Sequence, residues 1–291
     1  MPALSSGRKR SIIVCADDFG ISPGVSRAIA ELIANGRITA TGCMTVMPPW
    51  RDGARLLKSL GGAADIGLHF TLTDQSPLGK MPLTAPHDRF PSLPTLARNA
   101  IAGRLDRGEI RDELRRQITA FEQDLGRSPD FIDGHHHIHQ LPIIRSAVVE
   151  ELIAWRGSPI PYLRICRTPL STLLARRVAA GRALLIGLPG ARLRRLAMRA
   201  GVPTISSFSG IYDFSDSWPY RDLMQRFLIG LEDNGLLMCH PGHVDDQLRA
   251  VDTLTDRRAH EFAYLNGPDY LEDLVDAGVE LARFRLRPTS A

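Results

Sequence analysis

The stretch SIIVCADDFGISPGVSRAIAELIANG, residues 11–36, decides the fold. It opens with an apolar, β-branched run from Ser11 to Ala16, breaks at two acids, and continues into a segment whose apolar residues recur at helical spacing. Ser22 is placed as an N-cap with Pro23 at the first helical position, and Asn35-Gly36 closes the helix. A strand that hands over to a helix through a short polar turn is the front half of a βαβ unit. The pattern recurs along the chain. Strands are expected at Ser11 to Ala16, Thr39 to Met47, Asp65 to Phe70, Asp130 to Gly134, Tyr162 to Arg167, Thr204 to Ser207, Leu236 to His240 and Val279 to Phe284. Helices are expected at Pro23 to Asn35, Asp52 to Leu60, Arg111 to Leu125, Leu141 to Ala154, Arg221 to Asn234, Thr255 to Leu265 and Tyr270 to Ala277. Short β-rich runs alternating with helical ones describe a parallel α/β protein rather than a sandwich.

The remaining composition agrees. The chain has 291 residues, 44% apolar and 23% charged, a balance that excludes disorder, collagen and coiled coil. No internal repeat or low-complexity linker divides it, so one domain over 1–291 is expected. Gln75 to Pro94, with five prolines, reads as a long functional loop. The four cysteines (Cys15, Cys43, Cys166, Cys239) lack CxxC spacing, which argues against a disulfide framework or a cysteine zinc site and for a reducing compartment. The basic start is followed by too short an apolar run for a signal peptide or a spanning helix. A cytoplasmic protein is expected.

The ionisable residues fall in a pattern. Asp17 and Asp18 follow the first strand, His69 ends the third, His135 to His139 follow the fourth, and His240 ends the seventh. In a parallel β/α architecture all these carboxyl ends share one face, where such folds place their sites. Taken singly, an Asp-Asp pair is most often a turn or cap, and a lone histidine at a strand end is most often a satisfied core residue. Four histidines within five positions are harder to bury without penalty, and they point to a metal. If strand alternation continued past Gly134, Asp133, His135 and His137 would share one side with His136 on the other, giving one ligand and one supporting partner.

VCADDFGISPGVSRAI, ITATGCMTVMP, IGLHFTLTDQSPL, DFIDGHHHIHQLP and MCHPG, in that order from Ser11 to Gly242, resemble the YdjC family of carbohydrate deacetylases. The resemblance implies an irregular β/α (TIM-like) barrel with a metal site at the carboxyl ends of its strands. It further implies a divalent cation, magnesium, held by Asp18, His69 and His135, with Asp17 as base and His240 as acid. The cluster departs from the family's hopanoid-associated branch, where it is similar to HKHFH.

The chemistry is consistent with that assignment. Hydrolysing an N-acetyl group needs a polarised carbonyl and an activated water, both of which a metal supplies, and three protein ligands leave positions open. Two histidines and a carboxylate also suit zinc, cobalt, manganese or iron. A histidine acid could protonate the departing amine. Around the metal, Phe70, Phe208, Tyr212 and Trp218 are the aromatic candidates for a sugar face.

From Leu152 to Tyr212 there are ten Arg and no Asp or Glu. This implies an Arg-rich helical insertion at about 168–202, either packed on the barrel with solvated Arg or acting as a basic lid toward an anionic substrate or the inner membrane face. Nucleic acid is disfavoured because aromatics are not interleaved. A metal-dependent phosphoesterase of similar barrel type and a non-catalytic glycan- or membrane-binding protein remain rival functions, and a homodimer is left open.

Overall fold

The computed structural model describes residues 9–215 and 217–286; the basic start, residues 1–8, lies outside them. Among the described residues, eight strands, β1 (Arg10–Phe19), β2 (Ala40–Cys43), β3 (Asp65–Phe70), β4 (Phe131–Gly134), β5 (Tyr162–Leu163), β6 (Phe208–Ser209), β7 (Gly235–Cys239) and β8 (Val279–Leu281), make one sheet. Its order is β5-β4-β3-β2-β1-β7-β6, with β8 beside the start of β1. Every named pairing is parallel. A parallel bridge from Leu163 to Thr204 ties the β5 edge to the chain leading into β6, so the sheet curls into an irregular α/β barrel.

Alternation along the strands sorts the core. In β1, Ile12, Val14 and Ala16 pack outward against the helices, while Ile13 and Cys15 face the interior with Phe131, Tyr162, Phe208, Leu236 and Met238. In β3, Leu68 and Phe70 face outward, and a Cβ on inward Gly67 would meet the Phe131 ring at 2.4 Å. The next inward positions toward the carboxyl ends are Asp17, His69, Asp133 and Arg164. The apolar interior thus gives way to a charged layer on the face where the site residues were expected.

The helix Pro23–Ala34 has the expected start: Ser22 caps it, accepting from the Val25 N–H, with Pro23 in the first turn. Other boundaries move. β6 lies at Phe208–Ser209 rather than Thr204 to Ser207, because Thr204 makes only the isolated bridge. The helix expected to run to Asn234 ends at Leu228, before Gly230 in the left-handed region (φ 64). Leu93–Ile101 is helical where Pro94 suggested loop, since proline is tolerated in a first turn. The Arg-rich segment folds as two helices, Leu170–Arg176 and Ala180–Arg199. No helix among the described residues is long and apolar enough to cross a membrane.

Candidate metal centre

The site begins with a break in β1. Strict alternation would send Asp17 inward, Asp18 outward and Phe19 inward. Asp18 instead adopts a left-handed φ of 67, the pairing with β2 shifts register between Ala16 and Phe19, and Phe19 joins the outer core. The irregularity turns the Asp18 carboxylate over the strand end. Its Oδ1 lies 3.0 Å from His135 Nδ1 and 3.4 Å from His69 Nε2, and candidate ligand atoms of Asp18, His69 and His135 lie within 4.8 Å of one another.

Two of the three are held from behind. His69 Nδ1 donates to Asp133 Oδ1 at 2.6 Å, in register on the neighbouring strand, which leaves Nε2 toward the cluster. A Cβ on Gly42 would stand 3.0 Å from that Nδ1, so a side chain there would press on the ring. Asp18 Oδ2 accepts from Arg258 Nη2 at 2.6 Å, and the same nitrogen donates to Asp252 at 2.7 Å; Oδ1 remains for a ligand. Burial works against charge on both Asp18 and His69. Arg258 and His135 nevertheless hold the Asp18 carboxyl well below its ordinary range, and Asp133 and Asp17 push His69 up to about 10. Two imidazoles and one carboxylate, braced by outer hydrogen bonds, fit a divalent cation.

Asp17 occupies the interior layer. Arg164 grips it with two hydrogen bonds, Nη1 to Oδ2 at 2.7 Å and Nη2 to Oδ1 at 2.5 Å, and also lies 2.5 Å from Asp133 Oδ2. Burial would raise the Asp17 carboxyl, but the guanidinium outweighs it and holds the group below the usual carboxylate range. A second set of potential ligands, Cys15, Asp17 and Asp133, surrounds this guanidinium, whose Nη2 is 3.1 Å from Cys15 Sγ, so it encloses a cation already. The Asp17, Arg164, Asp133 and His69 side chains form one continuous chain of contacts.

The histidine run does not continue the strand. After Gly134 the backbone enters a 3-10 turn, His135–Gln140, in which His136 and His137 are left-handed (φ 55 and 58). Asp133 supports His69, as the alternation suggested, but His137 does not join its side. His137 instead places Nδ1 3.4 Å from Cys166 Sγ and its ring edge on Phe208. His136 lies at the cluster, its ring centroid 3.9 Å from that of His135 and its Nδ1 3.0 Å from Thr73 Oγ1. His139 is buried and hydrogen-bonds the Arg164 carbonyl.

His240 directly follows β7, at the rim. Its backbone N–H donates to Glu261 at 2.6 Å, its buried Nδ1 has no partner among the described residues, and its ring meets Phe214 edge-on at 5.1 Å. The aromatic expectations fare less well: Phe70, Phe208 and Tyr212 are 0%, 0% and 2% exposed and offer a sugar no surface. Trp218 is exposed but stacks under Arg226. Sequence reasoning missed Phe214, Arg164, Arg258 and Glu261. A lone arginine inside the apolar run YLRIC was the available signal for Arg164. The other three sit on loops or helices whose approach only the fold creates.

The sequence has known relatives. The profile of the YdjC-like proteins matches residues 11–276. The chain belongs to the YdjC-like family. A relative named carbohydrate deacetylase from Geobacillus stearothermophilus is 32% identical over 95% of this chain and 97% of its own length. One named chitooligosaccharide deacetylase from Serratia marcescens is 31% identical over 95% and 99%. Among solved structures, an Enterococcus faecalis protein named, provisionally, for cellobiose-phosphate cleavage superposes with a TM-score of 0.74 at 21% identity, covering 94% of this chain and 97% of that one. That likeness speaks to the fold alone.

Proposed function

We propose that this YdjC-like protein works as a single β/α-barrel domain, a metal-dependent hydrolase that removes N-acetyl groups from an acetylated amino sugar. The observation that carries the reading is the convergence of Asp18, His69 and His135 beside the Arg164-held Asp17. The names of the relatives point the same way, toward a carbohydrate or chitooligosaccharide substrate. One divalent cation on those three residues would polarise the acetyl carbonyl and acidify a water. Magnesium is the family expectation, while two imidazoles and a carboxylate also suit zinc, cobalt, manganese or iron.

The chain's own groups supply the proton transfers. Asp17 takes the proton of the attacking water; because Arg164 lowers its proton affinity, it is matched only to a water that is already acidified. His240, directly after β7, gives a proton to the departing amine. His136, His137 and His139 are engaged by Thr73, Cys166 and the Arg164 carbonyl, which favours one cation over the two or three a phosphoesterase would hold. The reading is tested by incubating metal-stripped and metal-reloaded protein with N-acetylated mono- and oligosaccharides and measuring free acetate. Metal-dependent acetate release at one ion per chain is expected. Release of phosphate from phosphoesters without acetate from any sugar would overturn it.

A further inference from the structure

The helix Ala180–Arg199 has two unlike faces. Its buried residues, Ala183, Gly187, Gly190, Leu193 and Ala197, recur every three or four positions, and small residues among them let the backbone approach the Cys166 carbonyl and Gln140. The opposite face repeats that spacing with Leu185, Leu188, Arg192, Arg195 and Arg199, all exposed, the two leucines at 70% and 62%. Large apolar side chains in water at one end of a stripe and arginines at the other make a graded amphipathic surface.

Two hollows flank the stripe. One, of about 680 Å³, is walled mainly by Ile101, Leu141, Pro142, Leu188 and Pro189, with Arg145, Arg192 and Arg195 at its edge. The other, of about 480 Å³, is lined by Arg167, Arg194, Arg195 and Arg199 with Ala191 and Met198. Neither is lined by a carboxylate. Among the described residues, no ion pair involves Arg167, Arg192, Arg194, Arg195 or Arg199, and from Leu152 to Tyr212 the chain contains no acid that could neutralise them. Arg145 is held below its ordinary pKa by partial burial and by Arg192 beside it. Like charges gathered without a counterion, next to exposed leucines, complement a surface that is anionic outside and apolar beneath.

We propose that this face docks on an anionic phospholipid bilayer, with Leu185 and Leu188 entering the acyl boundary and Arg192, Arg194, Arg195 and Arg199 meeting lipid phosphates. Single-stranded nucleic acid fits less well, because the exposed apolar partners of these arginines are Leu and Met rather than rings on which bases stack. The same helix begins at the rim of the metal cluster: the Arg182 guanidinium lies over the Phe214 ring at 5.3 Å, and Phe214 packs on His240. Docking would therefore bring the rim toward the lipid surface.

Co-sedimentation of the full chain with vesicles tests this without any substrate, so the outcome is independent of the deacetylase reading. The protein should pellet with phosphatidylglycerol-containing vesicles at low salt, stay in solution with pure phosphatidylcholine, and be released as salt rises. At about fivefold per basic residue near an anionic surface, the triple variant Arg192→Glu, Arg195→Glu, Arg199→Glu should bind about a hundredfold more weakly. The pair Leu185→Ser, Leu188→Ser should weaken binding at every salt concentration. Both variants change exposed residues without ion partners and should keep the wild-type circular dichroism and melting temperature. Wild-type protein remaining in the supernatant at low salt overturns the proposal. So does equal pelleting with neutral vesicles, equal binding by a folded triple variant, or retention on RNA with none on vesicles.

Discussion

Asp17 and Asp18 are adjacent in sequence and opposite in circumstance. Asp18 is turned out by its left-handed backbone and keeps one oxygen open, while Asp17 is sealed under Arg164. If Asp17 is the base, Asp17→Asn should keep its bound metal, since the amide still fills the position, yet lose about 10²–10⁴-fold in kcat. Acetate release paired with metal analysis decides it, and a variant within a few-fold of wild type removes Asp17 from the mechanism. The proposed ligands should behave differently. His69→Ala or His135→Ala should lose metal and activity together, as read by elemental analysis after dialysis, and full metal occupancy in either variant would show that the ligand set is wrong.

At the scale of elements, the site depends on how closely β2 and β3 run. Gly42 lets the His69 ring lie across β2, 3.0 Å from where a Cβ would be. Gly42→Ala should force the ring aside. An overpacking cost of about 1–3 kcal/mol is expected, together with weaker metal binding, because the displaced Nε2 no longer faces Asp18. Calorimetric metal titration beside a thermal melt separates the two effects. Loss of stability at unchanged metal affinity would mean that the ring position is set by Asp133 alone.

Across the whole molecule, the upper barrel interior is filled by charge rather than by hydrocarbon. Arg164 reaches both Asp17 and Asp133, and all three side chains are at most 2% exposed. Removing one partner of such a network strands the others in a low-dielectric interior, at a cost of roughly 3–5 kcal/mol. Arg164→Met, which roughly keeps the volume, should therefore lower the melting temperature by on the order of 10 °C. A shift under 2 °C would mean that the two carboxylates do not depend on the guanidinium for their burial.

Period-two alternation and helix punctuation are local, and they were legible. Residues 11–36 announced a strand, a Ser22 cap and a helix, and the strand ends carrying Asp17, Asp18, His69, His135 and His240 marked one face because parallel strands have all their carboxyl ends together. The family motifs could be read for the same reason, since each is a short contiguous run. What the tertiary structure decided were the departures from regularity and the approaches from a distance. The left-handed turns at Asp18, His136 and His137 break the alternation that would have assigned their sides, and a residue's φ in such a turn is set by what its side chain gains across the barrel. Arg164, Phe214, Arg258 and Glu261 reach Asp17, His240 and Asp18 over separations of 21 to 240 residues. Nothing in their own neighbourhoods records those partners, because a buried charge is defined by the counter-charge that folding brings to it.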